Sequence, residues 1–383
     1  MKVLAARALL SIVVPSAWLM AQSHPSRQES PRNAAVAYLR ADASLRQSYP
    51  MTTDAPAKLQ EALESPLDSE DEKLVAAAEE ALIEFHHGAS SERCDWEMSA
   101  GDGPLANTAH RGAILELAAV SGLRARLRFR DENVPGATSD LLAAIAAARH
   151  LSTDGSIASL LFAYKLENAL SAIIAHNLFR FSAAQLRELA ARLDALPAGF
   201  NVGDAFVAEK VNRHEIREIA EQAVSRDELV QKLLERAPIL QSDRASAIAI
   251  VDGCGGTVQA FLNCADRQQA FYEEWASRFS FSPEQFEREY KTEIRRASAG
   301  NSVVRSFTPA LPRLRWAEAY CQTQRALLQA AIAVRLGGRD MLDRHPDPYD
   351  GKPFSYEPGD NGFRLVSRLT ENDVPLELSI NTR

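Results

Sequence analysis

Ser156–Phe181, SIASLLFAYKLENALSAIIAHNLFRF, is the stretch on which the fold turns. It is dense in Leu, Ile, Ala and Phe and holds neither Gly nor Pro. At about 100° per residue its apolar positions cover most of a helical circumference, so the spacing predicts a helix packed on nearly all sides by other helices. Lys165, Glu167 and Asn168 interrupt its middle and argue against a bilayer span in the mature chain. On the helical wheel Lys165, Asn168, His176 and Arg180 gather within about 120°, while Glu167 points to the opposite, apolar side. Glu167 and His176 are therefore the candidate buried polar groups. A carboxylate buried alone holds its proton more tightly and can act as an acid or base. The structural alternative is a pair with an arginine of a neighbouring helix, and Arg124, Arg126, Arg128 and Arg149 lie nearby in sequence.

Outward from this helix the chain reads as successive helices joined by short turns. Asn33 to Leu45 is one. Ser69–Glu72 has capping-box spacing and opens a helix with Leu74, Ala78, Leu82 and Phe85 on one face. His110 to Phe129 follows, then a turn at Asn133-Val134-Pro135-Gly136, with Ser139 able to cap the next helix. Further starts are expected at Ser182–Gln185, Ser225–Glu228 and Ser282-Pro283-Glu284-Gln285. Residues 200–224 read as one helix, 242–275 as helical with a break at Gly253–Gly256, 298–312 as loop, and Leu314–Leu336 as the last long helix. Beyond it, Phe354 and Tyr356 alternate, as do Phe363 and Leu365, around Glu357–Asn361: a β-hairpin, with Val374–Ile380 adding a short strand. The fold class expected is all-α, an antiparallel bundle or stack of helix hairpins with a small C-terminal β-hairpin. The divisions are a signal peptide at 1–21, a flexible lead at 22–33, a helical domain at 34–340 and a hairpin tail at 341–383.

The chain has 383 residues, 46% hydrophobic and 25% charged, with a formal net charge of −8. That is ordinary globular composition. Without clustered Lys and Arg it lacks the footprint of a nucleic-acid binder. Lys2 and Arg7 precede the apolar run Ala8–Met20 and the small residue Ala21, the layout of a secretory signal peptide. An uncleaved N-terminal anchor is the other reading. The expected address is exported, periplasmic or extracellular. There are four cysteines. In an exported chain an even count suggests disulfides; Cys254 and Cys264 are close in sequence and pair first, leaving Cys94 with Cys321. The alternative is four buried free thiols packing as small hydrophobes.

The residues Asp347-Pro348, Gly351-Lys352-Pro353, Phe354-Ser355-Tyr356 and Gly362-Phe363-Arg364-Leu365-Val366-Ser367 resemble the ending of the major pseudopilins of type II secretion. The pseudopilin methylation motif and assembly helix have no counterpart here, and Arg368–Asp373 differs from the loop in which that family binds calcium. A wider resemblance is to uncharacterised secreted helical proteins of environmental bacteria with the same hairpin. Its landmarks are Cys94-Asp95-Trp96, Ser139-Asp140-Leu141 through Ala148-Arg149-His150-Leu151, and Leu189 through Leu196-Pro197. The resemblance implies an all-helical body with a hairpin tail and carries no activity with it.

Residue types that can hold a metal occur in three places. His86, His87, Cys94, Asp95 and His110 offer the ligand chemistry of zinc without the H-E-x-x-H or C-x-x-C spacing. The structural alternative makes Cys94-Asp95-Trp96 a corner with Trp96 on the core. His214 and Glu218, with Glu209 nearby, share a helical face at i, i+4, as a solvated pair also would. Asp347, Asp350, Asp360 and Asn361 gather oxygens around the hairpin, where turn chemistry already explains them. No G-x-S-x-G, P-loop or dinucleotide fingerprint is present. The expectation is a non-catalytic binding or interaction scaffold with no cofactor and a protein partner favoured over a small molecule. The alternatives are an exported hydrolase, possibly metal-dependent, and a secretion-system accessory.

Overall fold

The computed structural model describes residues 33–49, 61–96, 109–212, 214–236, 243–299, 301–307, 311–371 and 373–381. The expected signal segment and the lead up to residue 32 lie outside the described residues. The body is mostly helical: α1 (Ala34–Ser48), α2 (Ser69–Ala77), α3 (Glu79–Ala89), α4 (Ala109–Arg130), α5 (Val134–Ser152), α6 (Ile157–His176), α7 (Ala183–Asp194), α8 (Val202–Asn212), α9 (His214–Glu221), α10 (Arg226–Arg236), α11 (Arg244–Gly253), α12 (Val258–Ala276), α13 (Pro283–Ser298), α14 (Ser302–Phe307) and α15 (Leu311–Gly337). A three-stranded antiparallel sheet follows, β1 (Ser355–Gly359), β2 (Gly362–Glu371) and β3 (Val374–Asn381), in that spatial order.

The anticipated central helix is α6. Ser156 caps it, and its C-terminal half enters a large core shared with α1 to α5, α15 and the sheet. Its first turns, with Ile157, Leu160 and Tyr164, belong to a second cluster around Phe206, Trp275 and Phe286. A third cluster gathers α9 to α12 around Leu233, Val251 and Phe261. By length and composition α6 is the one described helix that could cross a membrane, and 61% of its apolar window is buried inside the protein.

Several boundaries move from the sequence expectation, each for a local reason. The stretch 133–136 is a helix start rather than a turn. Asn133 caps α5, its side chain accepting from Gly136 N at 3.0 Å, with Pro135 in the first turn where its missing N–H costs nothing. Ser139 thus lies inside the helix. Asp68 rather than Ser69 caps α2, accepting from Glu70 N and Asp71 N while Asp71 returns the bond. The helix expected through Leu74 and Phe85 divides at the buried Ala78. The 200–224 helix is two, and part of the expected 298–312 loop is α14. The boxes at Ser182 and Ser282 form as read on their capping side, whereas Glu228 accepts from Val224 N instead of Ser225 N.

Two glycines are required where the helical body meets the sheet. Gly338 has φ of 83°, a left-handed conformation that ends α15 cleanly. At Gly362 a Cβ would sit 1.9 Å from the Ile380 carbonyl oxygen, so the β2–β3 pairing leaves no room for a side chain. Gly359 pairs with Gly362, which shortens the expected linker to a two-residue turn at Asp360-Asn361. Phe363, Leu365, Leu369, Leu376 and Ile380 face the helices and join the main core.

Candidate functional site

The largest cavity described, 690 Å³, opens where α3, α5 and α7 end. Ser90, Thr153 and Ala195, the C-cap residues of those three helices, all line it. Leu196, Pro197 and Phe200 form an apolar wall, and Glu92, Arg93, Cys94 and His150 a polar one. A smaller groove of 270 Å³, with His86 and Arg192 at its sides, shares Ala89, Ser90, Ala195 and Leu196 with it. A volume of this size, mostly apolar with a few placed polar groups, is that of a small-molecule site. Cys94, His150, Leu196 and Pro197 belong to the three separate landmark stretches noted in the sequence, and the fold brings them around one cavity.

His150 is the most constrained group there. It sits in the last turn of α5, 2% exposed, with Nδ1 2.8 Å from the Tyr38 hydroxyl. Its carbonyl accepts from Trp96 Nε1 at 2.9 Å and Thr153 Oγ1 at 2.8 Å. Burial pushes the imidazole down to about 4, with the nearby Ser91 backbone opposing the shift. Burial likewise pushes the Cys94 thiol up to about 12 and Tyr38 well above its ordinary value, so all three are neutral near pH 7.

The floor behind the smaller groove is ionic. Asp140, fully buried on α5, accepts from Arg124 Nη2 at 2.7 Å, Arg124 Nε at 3.1 Å and Arg128 Nη1 at 2.9 Å. Arg124 and Arg128 reach it together because i, i+4 residues of α4 share a face. His86 Nε2 lies 2.9 Å from Asp140 Oδ1, and Arg124 Nη1 also donates to Glu79. A second triad holds Glu167, which accepts from Arg149 Nη2 at 2.8 Å and from Arg325 Nε and Nη2 at 2.6 and 2.5 Å. Glu167 is thus buried as expected and paired, with Arg149 among its foreseen partners and Arg325 unforeseen.

The remaining sequence candidates do not assemble. His176 is exposed at the end of α6, with Nδ1 2.9 Å from the Ala172 carbonyl, a correction to the expected buried position. It lies in the last turn, past the packed part of the helix. His87 is an exposed neighbour of Glu84. His110 pairs with Asp154 Oδ2 at 2.8 Å and stacks near Trp96, with ring centres 4.8 Å apart. Trp96 packs on the core, as the structural alternative held. Glu218 is exposed, and the side chains of Glu209 and His214 lie outside the described residues. Among the described residues no group of three His, Cys, Asp or Glu could hold a metal ion. Asp347 spends its oxygens on Ser367 Oγ, Tyr349 N and Arg368 N, and Asp350 pairs with Arg368, while Asp360 and Asn361 form the hairpin turn.

The four cysteines stand as free thiols, and Cys254 and Cys264, the pair expected to bridge first, are within hydrogen-bonding reach of each other. Cys254 Sγ also lies 3.1 Å from Ser302 Oγ, and Arg267 Nη2 donates to Cys264 Sγ at 3.1 Å. Cys94 packs against the main core and Cys321 lies in the second cluster, which separates the other expected pair.

Sequence reasoning passed over Tyr38, Asp140, Asp154 and Arg325. Asp140 was open to the argument that found Glu167, being a lone carboxylate in an apolar, alanine-rich helix. Tyr38 carried no such signal. Comparison with protein-family models, with curated proteins and with solved structures finds no match to this chain.

Proposed function

We propose that this chain is an exported, non-catalytic binding protein whose ligand site is the cleft at the ends of α3, α5 and α7. One observation carries the reading: a 690 Å³ cavity in which an apolar wall of Leu196, Pro197 and Phe200 stands beside the polar Glu92, Arg93, Cys94 and His150. In this reading the helices form a stack of antiparallel hairpins that fixes the cleft, and the pseudopilin-like hairpin is a stabilising tail, its Phe363 and Leu365 buried in the common core. The buried carboxylates Asp140 and Glu167 are each neutralised by two arginines, which suits support of the cleft rather than proton transfer. The signal-peptide-like layout of residues 1–21 supports an extracytoplasmic ligand, and a cleft of 690 Å³ suits a small molecule.

Native and denatured mass of the purified full chain tests this. The expected result is extra native mass that is lost on denaturation and absent in Ala198→Trp, which fills the exposed cleft mouth. A bare native chain that no small solute stabilises against heat would overturn the proposal.

A further inference from the structure

We infer that the ligand of this cleft is an uncharged molecule with an apolar chain, its body against Leu196, Pro197 and Phe200 and its tail in the adjoining groove beside Ala143 and Ala146. This rests on the binding reading above and adds the chemical class.

The hydroxyls, imidazole and helix-end carbonyls at the cleft already have partners in the protein. The Ser90 and Ser91 hydroxyls both donate to the His87 carbonyl, and Thr153 Oγ1 donates to that of His150. The His150 ring meets the Tyr38 hydroxyl at 2.8 Å and lies beside the Ser91 backbone. The last turns of α3, α5 and α7 close with backbone bonds from Ser91 N to the Gly88 carbonyl, Asp154 N to that of Leu151 and Leu196 N to that of Leu193. The Pro197 carbonyl accepts from Arg149 Nη1 at 3.2 Å. Arg93 pairs with Asp95 at 2.7 Å, and both Arg93 and Glu92 are exposed, so their charges stay in water at the rim. His150 and Cys94 are neutral near pH 7.

What the cleft leaves for a ligand is therefore its apolar surface. An ionised ligand entering it would give up water and meet no unpaired opposite charge, a cost that a neutral chain does not bear. The 270 Å³ groove shares Ala89, Ser90, Ala195 and Leu196 with the cleft, so the two are continuous. Leu142, Ala143 and Ala146 give the groove an apolar lining, and His86 and Arg192 at its sides are paired with Asp140 and Glu188. An elongated apolar chain matches that shape and that lack of free charge.

Calorimetry on the full chain tests this with 1-hexanol, hexylammonium and hexanoate, which share one apolar body, and with the 1-alcohols from butanol to octanol. Hexanol is expected to bind at least about tenfold more tightly than either ion. Affinity is expected to rise about fourfold with each added methylene. Ala198→Trp should abolish binding of all these probes. Ala143→Leu, or Ser139→Leu at the same groove, should flatten the rise for the longer chains and leave butanol binding unchanged. Either ion binding as tightly as hexanol overturns the neutral assignment while leaving the cleft a binding site. A rise with chain length that survives both groove variants overturns the extension into the groove. Failure of every probe to bind overturns both readings.

Discussion

Tyr38 on α1 and His150 on α5, 112 residues apart in sequence, are joined by a 2.8 Å hydrogen bond between the phenol oxygen and Nδ1. The Tyr38 ring stacks on Trp96 with centres 6.0 Å apart and tilts against Phe85 at 5.6 Å. This contact ties the first described helix to the wall of the cleft, and burial holds the imidazole in its neutral form.

The pH dependence follows from that neutrality. His150 has a folded value of about 4 against 6.5 when unfolded. The unfolded chain therefore takes up a proton that the folded chain refuses. Stability from this group is full above pH 6.5 and is lost as pH falls from there towards 4, by about 3 kcal/mol in all. Urea unfolding at pH 7.5 and 4.5 should show this decline, and His150→Leu should lack most of it. Equal declines in the two proteins would refute the assignment.

Asp140 answers two arginines and a histidine from full burial. Asp140→Asn removes the charge while keeping the shape, leaving Arg128 without its carboxylate and Arg124 with only the exposed Glu79. The expected loss is about 3–5 kcal/mol of unfolding free energy. Glu79, an exposed partner of Arg124, should cost less than about 1 kcal/mol when changed to Gln. Chemical denaturation of both variants checks the contrast, and similar losses from the two would contradict it.

Gly88 lies inside α3, where alanine would ordinarily gain about 1 kcal/mol. Here an added Cβ would stand 2.7 Å from Tyr38 Cε1 and 2.8 Å from Cδ1. The ring cannot swing away, held by Phe85, Trp96 and His150. Gly88→Ala should therefore destabilise, by about 1–3 kcal/mol, and a rise in melting temperature would show the Tyr38 contact to be loose.

The thiols give a fourth test. Cys254, Cys264 and Cys321 are buried, and burial raises Cys264 to about 11 and Cys321 to about 12. At pH 8 the native chain should react with a thiol reagent only slowly, and first at the half-buried Cys94. Unfolding without reductant should release all four. Two or none would mean that a bridge exists in the exported protein.

The sequence by itself determined the helical body, the burial and helical nature of Ile157–His176, the inward-facing Glu167 and the terminal sheet. These rest on periodicity, capping residues and strand alternation, which act within a few residues of chain. It also set the choice at the cysteines between bridges and free thiols without deciding it. Tertiary structure decided the rest. Cys94, His150 and Leu196 lie far apart in the chain and line one cavity only because α3, α5 and α7 end at the same place. Arg325 reaches Glu167 across 158 residues, and His176, on the same helix, is left outside. Local pattern fixes which way a side chain points from its own helix. What stands opposite it, and whether water remains there, depends on how the helices pack.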